Sequence, residues 1–284
     1  MTQRSQSPEI TSLVNGHVCD DVSVADRGFA YGDGLFETML FEKDGLPFLS
    51  YHLKRLFSGL SLLHIALDKD ELVRQISQFL DLLISRAIVR AKIKIVVTRG
   101  SQGEGSYAVV GGSPTVVITA QSLPEACDTG GVSLVISPIP LPAFPPLAGV
   151  KSTSRAAYIV ASQHVKRRPG EEVLLLDADK HVVESMHHNI FMVNGKTLST
   201  PAIKTCGVRG VMRECIIQEL AMRLDYRVKE VDISVVELQK SDEVFICNAI
   251  RGMSAVNSLE NQPLGNVGVS EKLNAEWKKY KSEL

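Results

Sequence analysis

The sequence predicts a mixed α/β chain of two domains: a smaller N-terminal domain of α+β type over residues 1–121 and a larger C-terminal domain over 132–284, joined by a linker at 122–131. Three observations lead there. Short alternating apolar runs such as Ala91-Lys-Ile-Lys-Ile-Val-Val97 stand beside stripes at helical spacing such as Leu53, Leu56, Phe57, Leu60 and Leu63. A polar, turn-rich stretch, Gln121-Ser-Leu-Pro-Glu-Ala-Cys-Asp-Thr-Gly-Gly131, separates two strand-like runs and fits a linker. At 284 residues the chain is long enough to bury two modest cores.

The elements follow in order. Asn15-Gly16 between short apolar stretches predicts an opening hairpin. Residues 35–41 read as a strand, and Lys43-Asp44-Gly45 as the turn after it. Ser50 is a candidate N-cap for a helix carrying Arg55, and a second helix is expected over 70–87 with Leu72, Ile76, Phe79, Leu80 and Leu83 inward. Strands are expected at 91–97, 115–119 and 132–136. Beyond Lys151 the pattern predicts a helix over about 154–166, strands at 172–176, 182–185, 189–193 and 197–199, and a helix beginning near Gly210. Strands at 226–231 and 243–247 and a terminal helix over 271–281 complete the reading.

Composition narrows the function. Hydrophobic and charged fractions of 44% and 22% are those of an ordinary globular protein. A formal net charge of −1 with no basic cluster offers nothing to a phosphate backbone, so nucleic acid is excluded as a partner. No apolar run is long enough to span a bilayer, and the polar start Met1-Thr-Gln-Arg-Ser-Gln-Ser-Pro8 lacks the apolar core of a secretory signal. A cytoplasmic location is expected. Cys19, Cys127, Cys206, Cys215 and Cys247 are odd in number, scattered and without a CxxC pair, as in a reducing compartment.

Lys151 is the most informative residue. It follows a proline-rich run from Pro138 to Val150, which delivers it on a stiff loop. A lysine that forms an imine with a carbonyl cofactor must be held still and partly desolvated, whereas a surface lysine needs no such approach. Glu184 and Asn189 bracket a polar break in an apolar region, and a carboxylate there can accept the N–H of a protonated heterocycle. Gly210-Val-Met-Arg213 opens a helix, so the amides of Val211 and Met212 can face an anion. Arg55 can add a charge-assisted contact. His187-His188 suggests a metal site, but neighbours on a strand point to opposite faces, so none is assigned. Gly32-Asp-Gly34 and Gly100-Ser-Gln-Gly103-Glu-Gly105 match neither the dinucleotide fingerprint nor the P-loop.

Taken together, Asp26-Arg27-Gly28-Phe-Ala-Tyr31-Gly32-Asp33-Gly34-Leu-Phe36-Glu37-Thr38, His52-Leu-Lys-Arg55, Lys151, Glu184, Asn189-Ile-Phe191, Gly207-Val-Arg-Gly210-Val-Met-Arg213 and Asn248-Ala249 resemble, in order and spacing, the class IV pyridoxal-phosphate enzymes. That resemblance implies a two-domain fold with pyridoxal 5'-phosphate between the domains, and a homodimer acting on a small molecule. It implies that Lys151 is the Schiff-base lysine and Glu184 the partner of the pyridine nitrogen. Arg55 and the backbone of Val211, Met212 and Ala249 would cup the phosphate, with Asn189 and Asn248 also at the cofactor. Tyr31 and Thr38 would lie beside the reacting face.

Within the family, Gly210-Val-Met-Arg213 and Ile246-Cys-Asn248-Ala249 are similar to the lyase branch, which releases pyruvate and 4-aminobenzoate from 4-amino-4-deoxychorismate. Aminotransferases for D-amino acids or branched-chain amino acids are the alternative, and a catalytically silent binding paralogue a further one that the presence of Lys151 and Glu184 opposes. Many relatives place a carboxylate-binding arginine after the motif corresponding to Thr98-Arg99-Gly100; this chain has Glu104 there, where a carboxylate facing the site would repel substrate. Arg251 and Arg209 are the candidates to replace it.

Overall fold

The computed structural model describes residues 11–42, 45–101, 107–108, 112–124 and 130–283. The chain divides into two compact units, residues 1–125 with 151–154, and residues 126–150 with 155–284. The sequence reading assigned Lys151 to the second domain. It clusters with the first because Phe36 N donates to Lys151 O at 3.0 Å and Thr153 N to Gly34 O at 2.9 Å, tying the segment to the edge of a strand in the first unit.

In the first unit, β1 (Thr11–Val14) and β2 (His17–Val18) form the expected hairpin. A short helix α1 (Arg27–Tyr31) precedes β3 (Gly34–Glu42). Two helices, α2 (Leu49–Leu62) and α3 (Lys69–Ser85), lead to β4 (Arg90–Thr98) and β5 (Thr115–Ser122). The sheet is antiparallel in the order β2-β1-β5-β4-β3. Alternation along β4 buries Ala91, Ile93, Ile95 and Val97, while Leu72, Ile76, Phe79 and Leu83 of α3 are fully buried, as their helical spacing requires. The N-cap of α2 is Phe48 rather than Ser50: Phe48 adopts φ 65°, an αL conformation that costs a non-glycine residue and is held here by a ring buried to 2% exposure.

The second unit has a mixed sheet. Its strands are β6 (Val132–Ile136), β7 (Glu171–Leu176), β8 (Val182–Ser185), β9 (Asn189–Asn194), β10 (Thr197–Pro201), β11 (Arg227–Val231), β12 (Glu243–Asn248), β13 (Gly252–Leu259) and β14 (Gln262–Pro263), in the order β11-β10-β9-β12-β13-β6-β7-β8 with β14 on β13. Helix α4 (Ala156–Gln163) lies between β6 and β7 in the chain, and α5 (Val211–Cys215) continues through a π turn at Ile216–Leu220 into α6 (Ala221–Arg223). Two helices complete the unit, α7 (Val235–Lys240) and α8 (Val269–Glu283). One core cluster gathers Leu174, Ile190, Val244, Ile246 and Val256; a second gathers Leu141, Ala161, Val173, Leu175 and Val183, with Tyr158 packed against it. Among the described residues no helix is long and apolar enough to cross a membrane.

Candidate active site

The motif from Asp26 to Thr38 is mostly architecture. Asp26, fully buried, caps α1 by accepting from Gly28 N at 2.7 Å and also accepts from Thr98 Oγ1 at 2.9 Å. Asp33 is gripped by Arg27 at 2.8 Å and by Arg99 at 2.7 Å. Burial raises the Asp33 pKa, but the bonds and charges of Arg99 and Arg27 outweigh it and hold the carboxyl below its ordinary value. A Cβ on Gly28 would stand 2.2 Å from Thr98 Cγ2, so the close approach of α1 to β4 requires glycine. Tyr31 ends α1, half exposed, with the Arg27 guanidinium 4.9 Å above its ring and the Tyr107 ring 5.6 Å away.

β3 carries the central polar group of this unit. Glu37 alternates with Leu35 and Met39 onto a buried face, where its carboxylate accepts from Arg55 Nε at 2.8 Å and Nη2 at 2.5 Å and meets His52 Nδ1 at 2.7 Å. The Arg55–Glu37 pair is a two-pronged fork with good geometry for a buried ion pair. Burial pushes the Glu37 pKa up; the Arg55 charge and the bonds from His52 and Arg55 overcome this and bring it down to about 2. His52 is driven down by burial, so its imidazole is neutral and gives its Nδ1 proton to Glu37. Arg55, predicted from sequence to meet an anion, is thus oriented by Glu37, a partner the sequence reading missed.

Thr38 lies one residue further along β3 and, with Phe36, points to the other face. Lys151 runs along this edge of the sheet. Its Nζ sits 4.5 Å from the Phe36 ring centroid, and its positive charge helps to depress His52. The backbone bonds at Phe36 and Gly34 fix the lysine stem, and the side chain is half-buried. Lys151 and Thr38 are therefore brought onto one strand edge of the first unit.

In the second unit the chain that leads into Lys151 is zipped to the loop before α5. Gly149 N donates to Gly207 O at 2.9 Å and Arg209 N to Gly149 O at 3.1 Å. Gly149 has φ 86°, and a Cβ there would press on the Arg209 stem at 2.9 Å. Val208, in the same zipper, donates its amide to Glu184 Oε2 at 3.2 Å. Glu184 is 4% exposed on β8; Asn189 Nδ2 also donates to Oε2, at 3.2 Å, and Tyr158 Oη donates to Oε1 at 2.5 Å. Burial and the adjacent Glu184 charge push the Tyr158 phenol well above its ordinary range, so it acts as a donor. These donors favour the ionised carboxylate, which suits an acceptor for a protonated ring nitrogen.

Asn189 has a second task. Its Nδ2 donates to Val208 O at 2.8 Å, and a Cβ on Gly210 would lie 1.9 Å from its Oδ1. Gly210 is the N-cap of α5, so the amides of Val211 and Met212 begin the helix outside its own hydrogen-bond ladder, with no side-chain cap bond over them. That is the arrangement a phosphate needs. Arg213 turns away: its guanidinium donates to Pro201 O at 2.9 Å and Glu230 at 2.6 Å.

Asn248 ends β12, and its Oδ1 accepts from Ile250 N at 2.9 Å and Arg251 N at 2.8 Å, so the turn carrying Ala249 and Arg251 is shaped by that side chain. Arg251 is exposed, and its charge reaches Glu172 and His188. His187 and His188 sit in the turn between β8 and β9 rather than on a strand, so the argument from opposite faces does not apply; both rings stand 3.9 Å from Glu172 oxygens. Burial lowers His188 to about 4 against the pull of Glu172. Arg209 is exposed and donates to Ile203 O at 3.3 Å. Glu104 lies outside the described residues.

Comparison with known proteins supplies the class. The sequence model of the family described as amino-transferase class IV matches residues 34–259. The chain belongs to this family, whose enzymes use pyridoxal 5'-phosphate. It is 30% identical over 251 residues to an aminodeoxychorismate lyase of Vibrio harveyi, covering 87% of this chain and 90% of that one. It is also 30% identical over 266 residues to a putative branched-chain-amino-acid aminotransferase of Methanocaldococcus jannaschii, covering 91% of each. The crystal structure of 4-amino-4-deoxychorismate lyase from Pseudomonas aeruginosa superposes with a TM-score of 0.87 at 32% identity, covering 94% of this chain and 98% of that one.

Proposed function

We propose that this protein is a pyridoxal-phosphate-dependent lyase that cleaves 4-amino-4-deoxychorismate to pyruvate and 4-aminobenzoate, a folate precursor. The observation that carries the reading is the buried Glu184, which accepts from Tyr158, Asn189 and Val208, in a unit whose α5 opens at Gly210 with Val211 and Met212. The likeness to two lyases along most of both chains supports the lyase reaction over the aminotransferase alternative.

In this reading Lys151 Nζ is the amine that takes the cofactor, and Glu184 accepts the ring N–H. Arg55, steered by Glu37, and the amides of Val211, Met212 and Ala249 hold the phosphate, with Asn189 and Asn248 shaping the loops that present them. Thr38 and Tyr31 stand beside the reacting face. When bound, the cofactor draws electrons from the substrate bonds next to its amine. With the cofactor bound, Lys151 Nζ would move the proton at the substrate carbon. Loss of the enolpyruvyl group makes the ring aromatic, which drives the reaction. Arg251, and Arg209 beside it in this role, are proposed to meet a substrate carboxylate. The family resemblance further supports a cytoplasmic homodimer.

A lyase ends each turnover as it began, so it needs no keto-acid acceptor. Purified protein supplied with pyridoxal phosphate and aminodeoxychorismate should release pyruvate and 4-aminobenzoate in equal amounts without one. Transamination of D-alanine or a branched-chain amino acid, with no pyruvate from aminodeoxychorismate, would establish the aminotransferase alternative.

A further inference from the structure

The Glu184 carboxylate is buried, so its charge depends on the donors around it. Its three named donors come from different parts of the second unit: Tyr158 from α4, Asn189 from β9, and the Val208 amide from the loop zipped to Gly149. The Tyr158 contact, at 2.5 Å against 3.2 Å for the other two, is the shortest and lies in the range of a charge-assisted O–H···O⁻ bond. Tyr158 is on the third position of α4, seven residues beyond Lys151, and its ring packs on the cluster of Leu141, Ala161, Val173, Leu175 and Val183. The apolar body of the ring thus fixes where the hydroxyl points.

We propose that Tyr158 is a positioning residue of the active site, whose phenolic hydrogen bond to Oε1 fixes the orientation of Glu184 and keeps its carboxylate negatively charged opposite the ring nitrogen of pyridoxal phosphate. This rests on the reading of Glu184 given above. The physical argument is one of proton sharing. A donor to a carboxylate stabilises its anion, so the shared proton stays on the ring nitrogen. Without the hydroxyl, the carboxylate becomes more basic and the shared proton shifts from nitrogen toward oxygen. The ring then loses the positive charge through which it withdraws electrons. Asn189 and Val208 donate to the other oxygen, Oε2, and Tyr158 adds its bond at Oε1.

The test is Tyr158→Phe in the full chain, reconstituted with pyridoxal phosphate labelled with 15N in the ring. The 15N resonance should move from the pyridinium position toward that of neutral pyridine. In the lyase assay kcat should fall roughly tenfold, as for loss of one hydrogen bond to a charged group. KM should stay within about twofold, since the phenol is not assigned to the substrate. Tyr158→Gln, which retains a donor on a flexible stem, should restore much of the nitrogen signal. If the Phe variant does not fold, Tyr158→Gln against Tyr158→Leu poses the same contrast. An unchanged 15N signal in a folded variant without the donor, even with a lower melting temperature, would make Tyr158 a packing residue and overturn the proposal. Glu184→Gln separates the two levels: turnover lost there but intact in Tyr158→Phe refutes the role of Tyr158 alone, whereas turnover intact in Glu184→Gln refutes the assignment of Glu184 itself.

Discussion

Replacing Glu37 by Gln should harm both stability and cofactor binding. Glu37 is 1% exposed and faces both Arg55 and His52, so removing its charge leaves the Arg55 guanidinium half-buried beside a neutral amide. Breaking one side of a buried pair costs roughly 3–5 kcal/mol, and an amide that still accepts one bond keeps the loss near the lower figure, about 3 kcal/mol. For a chain of this size that lowers the melting temperature by roughly 10 °C. The same reasoning fixes a pH dependence. The folded Glu37 pKa of about 2 lies below the reference value of 4.5, so its contribution is fully present above about 4.5 and is lost as pH falls toward 2. Urea unfolding of the apo protein between pH 6 and pH 3 should therefore show the wild type losing part of its advantage over Glu37→Gln as the acid end is approached. Pyridoxal-phosphate titration should show weaker binding by the variant, because Arg55 loses its orientation. A variant within 0.5 kcal/mol of wild type at pH 6, about the scatter of an ordinary surface substitution, would refute this account of the Glu37 fork.

Two arginines give contrasting expectations. Arg55→Ala should lower cofactor affinity by at least roughly tenfold, the scale of one lost charge-assisted contact, as read by equilibrium dialysis of pyridoxal phosphate; unaltered affinity would remove Arg55 from the phosphate site. Arg251→Ala should raise KM for aminodeoxychorismate with little change in kcat, and an unchanged KM would leave the substrate carboxylate to Arg209 or another group.

The positions proposed to carry chemistry stand out in the sequence because each combines a distinctive type with a distinctive setting. Lys151 follows a proline-rich run, and Gly210 opens a helix where a side chain would collide with Asn189. Helix α3 was legible because four core residues recur at helical spacing. Partnerships over long separations were not. Tyr158 and Glu184 are 26 residues apart, and nothing in the local pattern of either points to the other. Glu37 is different: it occupies the same face of β3 as the buried Leu35 and Met39, so strand alternation alone could have marked it as a buried carboxylate in need of a partner. β13 was missed because Ser254, Asn257 and Ser258 blur its apolar alternation, and α7 because it has six residues, although Ser234 and Glu237 form a capping box. Ser50 was misread as a cap because a Phe in the αL conformation has no sequence signature.

The central claim is that Lys151 is the amine that carries the cofactor. Treating the holoprotein with borohydride and mapping the pyridoxyl group by peptide mass spectrometry tests it directly. The account predicts the label on the peptide containing Lys151, with none trapped in Lys151→Ala. A label on any other lysine, or equal trapping in the variant, would contradict it.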